Sequence, residues 1–261
     1  MTVFKQEIRS QRVPILIWSL SIGLMISFCV LMYPQMKSEM DQVTDMFSSM
    51  GSFSAAFGMD KLNFGTLIGF YAVEGGNILG IGGAFFAAIT AISALAKEEK
   101  ERTAEFLFTH PVSRVRVITE KLLSVCAILL IMNAIIMICS VCSVLIIGEK
   151  IEWDILILFH AAAFLMQLEI AGICFGISAF IGRSGLGIGI GLAAMLYFVN
   201  LIANISESAK KLKYITPFSY TEGSDIINDG TLRMSYIIPG MILMIAGVVA
   251  AYIKYTKKDL Q

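Results

Sequence analysis

Charge is scarce in this sequence, and so are the residues that most often carry catalysis. Only 15% of its 261 residues are charged and two are histidine, whereas a soluble globular domain carries about 25% charged residues. Basic and acidic residues are equal in number, so the formal net charge is zero. A neutral chain offers no electrostatic reason to bind nucleic acid, and we expect no nucleic-acid partner.

Motifs for nucleotide and metal chemistry are missing as well. The sequence has no G-x-x-x-x-G-K-[ST] phosphate loop and no H-E-x-x-H zinc motif. Its five cysteines all lie in apolar stretches, which predicts no disulfide framework. We therefore predict that this chain is not itself an enzyme, and that it holds no catalytic residue, no metal and no cofactor.

What the sequence has instead is long apolar stretches, since 57% of its residues are hydrophobic. A helix needs roughly 20 residues to cross a bilayer, and buried backbone groups must bond within that helix. Six stretches are long enough, and they predict one all-α integral membrane domain over residues 1–261. The predicted spans are residues 14–32, 73–95, 122–148, 155–181, 186–205 and 237–253.

The distribution of lysine and arginine predicts the orientation of these spans. With six spans, thirteen of the twenty basic residues fall on the side of the two termini and seven on the other side. The side richer in basic residues usually faces the cytoplasm. We expect a multi-pass protein with both termini in the cytoplasm.

Several polar side chains interrupt the apolar spans, where they are costly. One interpretation is a polar substrate path or a coupling-ion site, and the other is hydrogen bonding between helices. The sequence leaves both open. The candidate path residues are Glu74, Asn77, Gln167, Glu169 and Asn200, and Asn133 is a further amide within a predicted span.

Residues 97–121 join the second and third spans on the predicted cytoplasmic side. The stretch begins with charged residues, continues with Phe106 and Leu107, and is stopped by Pro111. This pattern predicts a short amphipathic helix. On its own it is either a solvated connector or a helix that docks into another protein.

The same stretch resembles the signature of the type-2 ABC exporter permeases, although Arg102 replaces a glycine of that pattern. The matching positions are Glu99, Thr103, Glu105, Leu107, Pro111, Ser113, Arg114 and Lys121. A second resemblance lies at Thr216, Pro217, Phe218 and Tyr220, which are similar to an external motif that precedes the last span in this family.

The resemblance implies a coupling helix that contacts a cytosolic ABC ATPase dimer, with ATP and magnesium on that partner. The expected coupling residues are Glu98, Glu99, Arg102, Thr103, Glu105, Phe106, Leu107, Pro111, Ser113 and Arg114. It also implies an interfacial elbow helix over residues 3–12, short or re-entrant external helices before spans two and six, and a second permease subunit.

Three functions remain open at this point. The first is an exporter permease for an amphipathic peptide, toxin or antibiotic in a plasma membrane, with a bacterial source expected. The second is an ion-coupled secondary transporter that uses Glu74 or Glu169. The third is a membrane scaffold that transports nothing.

Overall fold

Long helices dominate the computed structural model, which describes residues 2–96, 113–181 and 185–257. Within these ranges the chain forms α-helices and short 3₁₀ helices and contains no strand. The α-helices are α1 (Thr2–Met36), α2 (Met40–Ser49), α3 (Ser52–Ala56), α4 (Leu67–Ser93), α5 (Arg114–Ile147), α6 (Trp153–Ser178), α7 (Leu186–Ile205), α8 (Gly223–Asp229) and α9 (Met234–Lys257). The 3₁₀ helices are η1 (Lys37–Glu39), η2 (Met59–Lys61), η3 (Glu207–Tyr214) and η4 (Pro217–Tyr220).

Six of these helices, α1, α4, α5, α6, α7 and α9, are long and apolar enough to cross a membrane. The predicted all-α membrane fold is confirmed. Most of the helices extend past the apolar stretch that predicted them, because local caps rather than hydropathy decide where a helix begins and ends. Ser113, for example, accepts a hydrogen bond from the Arg116 backbone N–H and begins α5 eight residues before the predicted span.

The N-terminal segment differs from the expected separate elbow helix. Residues 2–36 form one continuous helix, with Pro14 inside it. The reason is that the first turns of α1 are bonded to the start of α5. The Phe4 backbone N–H donates to Glu120, and Glu7 pairs with Lys121. These bonds hold residues 3–12 in line with the rest of α1.

The two central helices of the bundle are α4 and α6. In each, 61% of the most apolar stretch is buried, compared with 22% in α9. The outward faces of the peripheral helices carry large apolar side chains such as Phe28 on α1, Phe198 on α7 and Ile242 on α9. In a soluble protein such faces would be a liability, but in a membrane helix they face lipid.

One helix contact depends on glycines spaced one turn apart. A Cβ atom added to Gly176 of α6 would lie only 2.6 Å from the Cα atom of Gly247 on α9, and one added to Gly172 would meet Met244. The backbones of α6 and α9 therefore approach closely, as the G-x-x-x-G spacing favours. By contrast, a Cβ atom at Gly187 or Gly191 of α7 would meet no atom of the described residues within 4 Å.

The short helices predicted before spans two and six are present, and they lie at one end of the bundle. We call this the capped end. Asn204 near the end of α7 donates a hydrogen bond to the Ala56 carbonyl of α3 (3.2 Å), which joins the first group of short helices to α7. The opposite end, which we call the tail end, contains the first turns of α1, the last turn of α9 and the two boundaries of residues 97–112.

Candidate functional site

A polar cleft enters the bundle at the capped end, between α4 and α7. It consists of two adjoining cavities. An inner cavity of about 50 Å³ reaches toward the middle of the bundle, and a rim cavity of about 100 Å³ lies above it. Gly58, Asn204 and Glu222 line both cavities, so the two form one cleft. At 1.5 Å per residue, Asn77 lies about 15 Å along α4 from its first residue.

The inner cavity contains two of the predicted path residues, Asn77 and Asn200. Asn77 donates to the Val73 carbonyl one turn earlier and accepts a long hydrogen bond from the Tyr197 hydroxyl (3.4 Å). Asn200 is buried, accepts from the Ser219 hydroxyl (3.2 Å), and its amide nitrogen lies 3.4 Å from a Glu222 oxygen. The amides thus form an uncharged polar wall within the membrane-spanning part of the bundle.

A buried ion pair lines the cleft where the two cavities adjoin. The Lys213 ammonium nitrogen lies 3.3 and 3.2 Å from the two carboxylate oxygens of Glu222. Only 8% of Lys213 is exposed. Taking two charges out of water is costly unless both are paired, so this pair is a specific feature of the cleft.

The predicted external motif folds as η4 and packs into the same end. The Thr216 hydroxyl donates to the Leu196 carbonyl of α7 (2.8 Å) and accepts from the Phe218 backbone N–H. The Phe218 ring meets the Tyr197 ring at a centroid distance of 5.4 Å and lines the inner cavity. Pro217 occupies the first turn of η4, where its missing N–H is harmless. The motif therefore forms part of the cleft wall.

Gln167 does not belong to the cleft. It is fully buried, and its carboxamide exchanges hydrogen bonds with Asn133 of α5 at 2.6 and 3.4 Å. Gly83 of α4 makes room for it, because a Cβ atom at Gly83 would lie 2.2 Å from the Gln167 amide nitrogen. Gln167 thus makes the kind of interhelical hydrogen bond that was one of the two interpretations.

Glu169 is buried elsewhere, between α6, α9 and η4. Its carboxyl group packs on Gly240 of α9, where a Cβ atom would lie 2.0 Å from Oε2. Within the part of the chain that the structure describes, the Tyr220 hydroxyl is a polar neighbour of this carboxyl group, but no hydrogen bond of good geometry joins them. Burial raises the pKa of the Tyr220 phenol, and the nearby Glu169 carboxylate raises it further.

The last candidate path residue, Glu74, lies apart from the others. It is half-buried on α4, close enough to α1 for its charge to act on Cys29. It does not line the cleft. The five candidate path residues therefore occupy four places in the bundle, and of the five only Asn77 and Asn200 line the same cavity.

At the tail end, a fully buried lysine joins three helices. The Lys121 ammonium nitrogen of α5 lies 2.6 Å from the Ala94 carbonyl oxygen, at the end of α4, and 3.0 Å from a Glu7 oxygen on α1. Ala94 is close to the last described residue before 97–112. On the other side of that segment, Arg114 reaches the Thr256 carbonyl of α9 at 3.5 Å. Both boundaries of residues 97–112 are thereby tied to spanning helices.

Comparison with known families decides what these features belong to. Residues 2–260 match the family described as ABC-2 family transporter protein. The chain belongs to that family. A search of curated proteins found no match to this chain.

As an ABC-2 permease, the chain is a multi-pass membrane subunit, and its family implies partnership with a separate ABC ATPase. The resemblance to type-2 ABC permeases is confirmed. Of the predicted coupling residues, the structure describes Ser113, the N-cap of α5, and Arg114. The others, Glu98, Glu99, Arg102, Thr103, Glu105, Phe106, Leu107 and Pro111, lie outside the described residues, so their role stays a prediction.

The permease also has site features that sequence reasoning missed. Lys213 entered the sequence argument only in the count of external basic residues, and Glu222, Asn204 and Tyr197 did not enter it. A signal existed, since Lys213 and Glu222 closely flank the Thr216–Tyr220 motif. Among the described residues, no group of three potential metal ligands is close enough to hold an ion.

Proposed function

We propose that this chain is the membrane subunit of an ATP-driven exporter, in which two permease subunits form the path and an ATPase dimer supplies the energy. The observation that carries the proposal is the family match over residues 2–260, together with six spanning helices. The chain has no phosphate loop of its own, so hydrolysis belongs to the partner.

The contacts at the tail end support a coupling role for residues 97–112. A segment can transmit motion only if its ends are attached to elements that move as units. Here one end continues from α4, whose terminal carbonyl is held by Lys121, and the other begins α5, whose first residue contacts α9. A push on this segment would therefore act on α1, α4, α5 and α9 together.

The cleft at the capped end supports a cargo with both polar and apolar groups. Its polar wall includes Asn77, Asn200 and Glu222, and its apolar wall includes Phe57 and Phe218. Binding sites for such ligands combine apolar lining with a few polar groups that fix orientation. An amphipathic peptide, toxin or peptide antibiotic fits this description.

The orientation follows from the basic residues. The tail end is the side of the bundle richer in lysine and arginine. By the positive-inside rule we assign it to the cytoplasm. The capped end then faces outward, as an exporter's exit requires. We assign the protein to the plasma membrane of a bacterium.

The direct test is assembly with the ATPase. The tagged wild-type chain is purified from membranes with its P-loop partner, and the same is done with Thr103→Ala, Glu105→Ala and Glu99→Lys. We expect each variant to retain less ATPase at equal permease abundance. Thr231→Ala and Glu207→Ala, at exposed positions of the capped end, serve as matched controls. Undiminished ATPase recovery in all three test variants would reject the docking assignment.

A gradient-driven transporter is the second candidate, favoured by one observation. Glu169 is a fully buried carboxyl group inside a spanning helix, with the Tyr220 hydroxyl as a polar neighbour, and buried carboxyl groups in spans mark ion or proton relays in transporters. Transport that persists with vanadate and stops when the ion gradient is abolished would select this candidate. Transport that stops with vanadate selects the exporter.

A further inference from the structure

The rim cavity contains more positive than negative groups. Its lining includes three lysines, Lys61, Lys210 and Lys213, and two glutamates, Glu207 and Glu222. Lys210 pairs with Glu207 on the surface at 3.4 Å, and Lys213 pairs with Glu222. Lys61 has no ion-pair partner within the residues that the structure describes. The cavity therefore favours an anionic group.

Lys213 is the best-placed of the three lysines to bind that group. It is 8% exposed, and among the described residues its two hydrogen bonds both go to Glu222. An ammonium group has three N–H donors and no acceptor, so it can donate to a further oxygen without releasing Glu222. Glu222 fixes the direction of the ammonium group, which makes Lys213 a preorganised donor in a site shielded from water.

Asn204 adds a hydrogen-bond acceptor to the same cavity, where Lys213 supplies a donor. Its amide nitrogen donates to the Ala56 carbonyl (3.2 Å), which fixes the orientation of the carboxamide. Its oxygen is buried and has no partner among the described residues. Because a buried acceptor without a donor is costly, Asn204 calls for an N–H group from a ligand. Asn204 lines both cavities.

We propose that the cleft binds the free C-terminal carboxylate of a peptide, an inference that rests on the peptide cargo of the proposed function. The carboxylate accepts from Lys213, with Lys61 adding long-range attraction. The last peptide N–H donates to the Asn204 oxygen. The terminal side chain enters the inner cavity, whose apolar lining includes Phe57 and Leu201 and whose volume of about 50 Å³ suits a small apolar group.

A peptide terminus fits better than an inorganic anion or a lipid. Phosphate ion would satisfy Lys213 but would bring no N–H group to Asn204. A phospholipid would have to place its acyl chains beyond the small inner cavity. A peptide carboxylate and the amide N–H that precedes it supply the acceptor and the donor at neighbouring atoms.

The test uses the permease–ATPase complex in phosphatidylcholine nanodiscs and two probes that differ in one group. Binding of N-acetyl-leucyl-leucine, which has a free carboxylate, is compared with binding of its C-terminal amide by saturation-transfer NMR. We expect the acid to bind about tenfold more tightly, the ratio expected for one charge-assisted hydrogen bond. Inorganic phosphate is tested as a competitor, and the measurement is repeated with phosphatidylethanolamine in the nanodisc.

Variants assign the preference to the cleft. Lys213→Met should abolish the preference for the acid, Lys213→Arg should retain it, and Lys61→Met, which leaves the buried ion pair intact, should reduce it. Asn204→Leu should weaken the binding of both probes. Lys211→Met is the matched control, since Lys211 belongs to the same η3 helix but is exposed and does not line the cavity.

Several results would overturn the inference. In the wild-type complex, equal binding of the acid and the amide, or no binding of the acid, would be such a result. So would a preference for the acid that is unchanged in both Lys213→Met and Lys61→Met. A further one is competition by phosphate or phosphatidylethanolamine as strong as that by the acid. The last would assign the site to a phosphate group. ATPase retention is measured on the same samples, so loss of the partner reports failure of the exporter proposal, whereas equal probe binding by an intact complex reports failure of this inference alone.

Discussion

The Lys121 ammonium group lies 2.6 Å from the Ala94 carbonyl oxygen, so a side chain of α5 donates a hydrogen bond to a carbonyl at the end of α4. The last carbonyls of a helix have no partner within the helix, and a positive charge near them is favourable. Glu7 of α1 completes the contact at 3.0 Å. Lys121 is fully buried, and it lies where α4 leads toward residues 97–112.

We expect Lys121→Met to weaken the link between ATP hydrolysis and transport. Breaking a buried pair by removing one partner typically costs about 3 kcal/mol, so the melting temperature of the purified permease should also fall. The decisive reading is the amount of cargo moved per ATP hydrolysed, measured in proteoliposomes. Lys257→Met, an exposed lysine in the last turn of α9, should leave that ratio unchanged. An unaltered ratio in Lys121→Met would show that the contact has no part in coupling.

The paired amides of Gln167 and Asn133 should act as one unit. Replacing Gln167 with Leu leaves the Asn133 carboxamide buried without its partner, which costs about 1–3 kcal/mol. The double variant, with Asn133→Leu as well, should lose less than the sum of the two single variants. Thermal unfolding of the wild type, the two single variants and the double variant in one detergent gives this double-mutant cycle. Strict additivity would contradict the bond.

The glycines of α6 should tolerate substitution by alanine less well than those of α7. We expect Gly176→Ala to destabilise the bundle, because the added methyl group would strike the Gly247 backbone. Overpacking of this kind costs about 1–3 kcal/mol. Gly187→Ala adds the same methyl group into open space and should be neutral or slightly stabilising in the isolated subunit. Melting temperatures of the two variants check the contrast, which equal shifts would refute.

Thr216 should stabilise the motif at the capped end. Thr216→Val keeps the shape of the side chain but removes the hydroxyl group that caps η4 and bonds to Leu196. Loss of a cap costs about 1 kcal/mol. Hydrogen exchange at the amides of residues 218–220 should therefore become faster than in wild type, whereas Thr231→Val, at an exposed position, should change nothing there. Unaltered protection in Thr216→Val would mean that the hydroxyl does not hold η4.

The sequence predicted the spanning helices well because membrane burial leaves a long, continuous signal. It could not predict which helices each buried polar residue contacts. Gln167 and Glu169 were both candidates for one path, yet residues two apart on a helix point to different sides. Accordingly, Gln167 meets α5 and Glu169 meets α9.

The cleft was harder to predict because it depends on irregular backbone. Lys213 and Glu222 are nine positions apart, and the chain between them contains the end of η3 and the whole of η4. No periodicity brings two such residues together. Hydropathy reports burial in lipid, whereas the direction of a side chain after a turn is fixed by hydrogen bonds such as that of Thr216.

The central claim is that residues 97–112 contact the ATPase in the cytoplasm, and site-specific photo-crosslinking tests it most directly. A photoreactive amino acid is placed at Glu99 in one chain and at Thr231 of the capped end in another, each co-expressed with the ATPase. We predict a crosslink to the ATPase from position 99 and none from position 231. A crosslink from position 231, or none from position 99 in a complex that still contains the ATPase, would contradict the account.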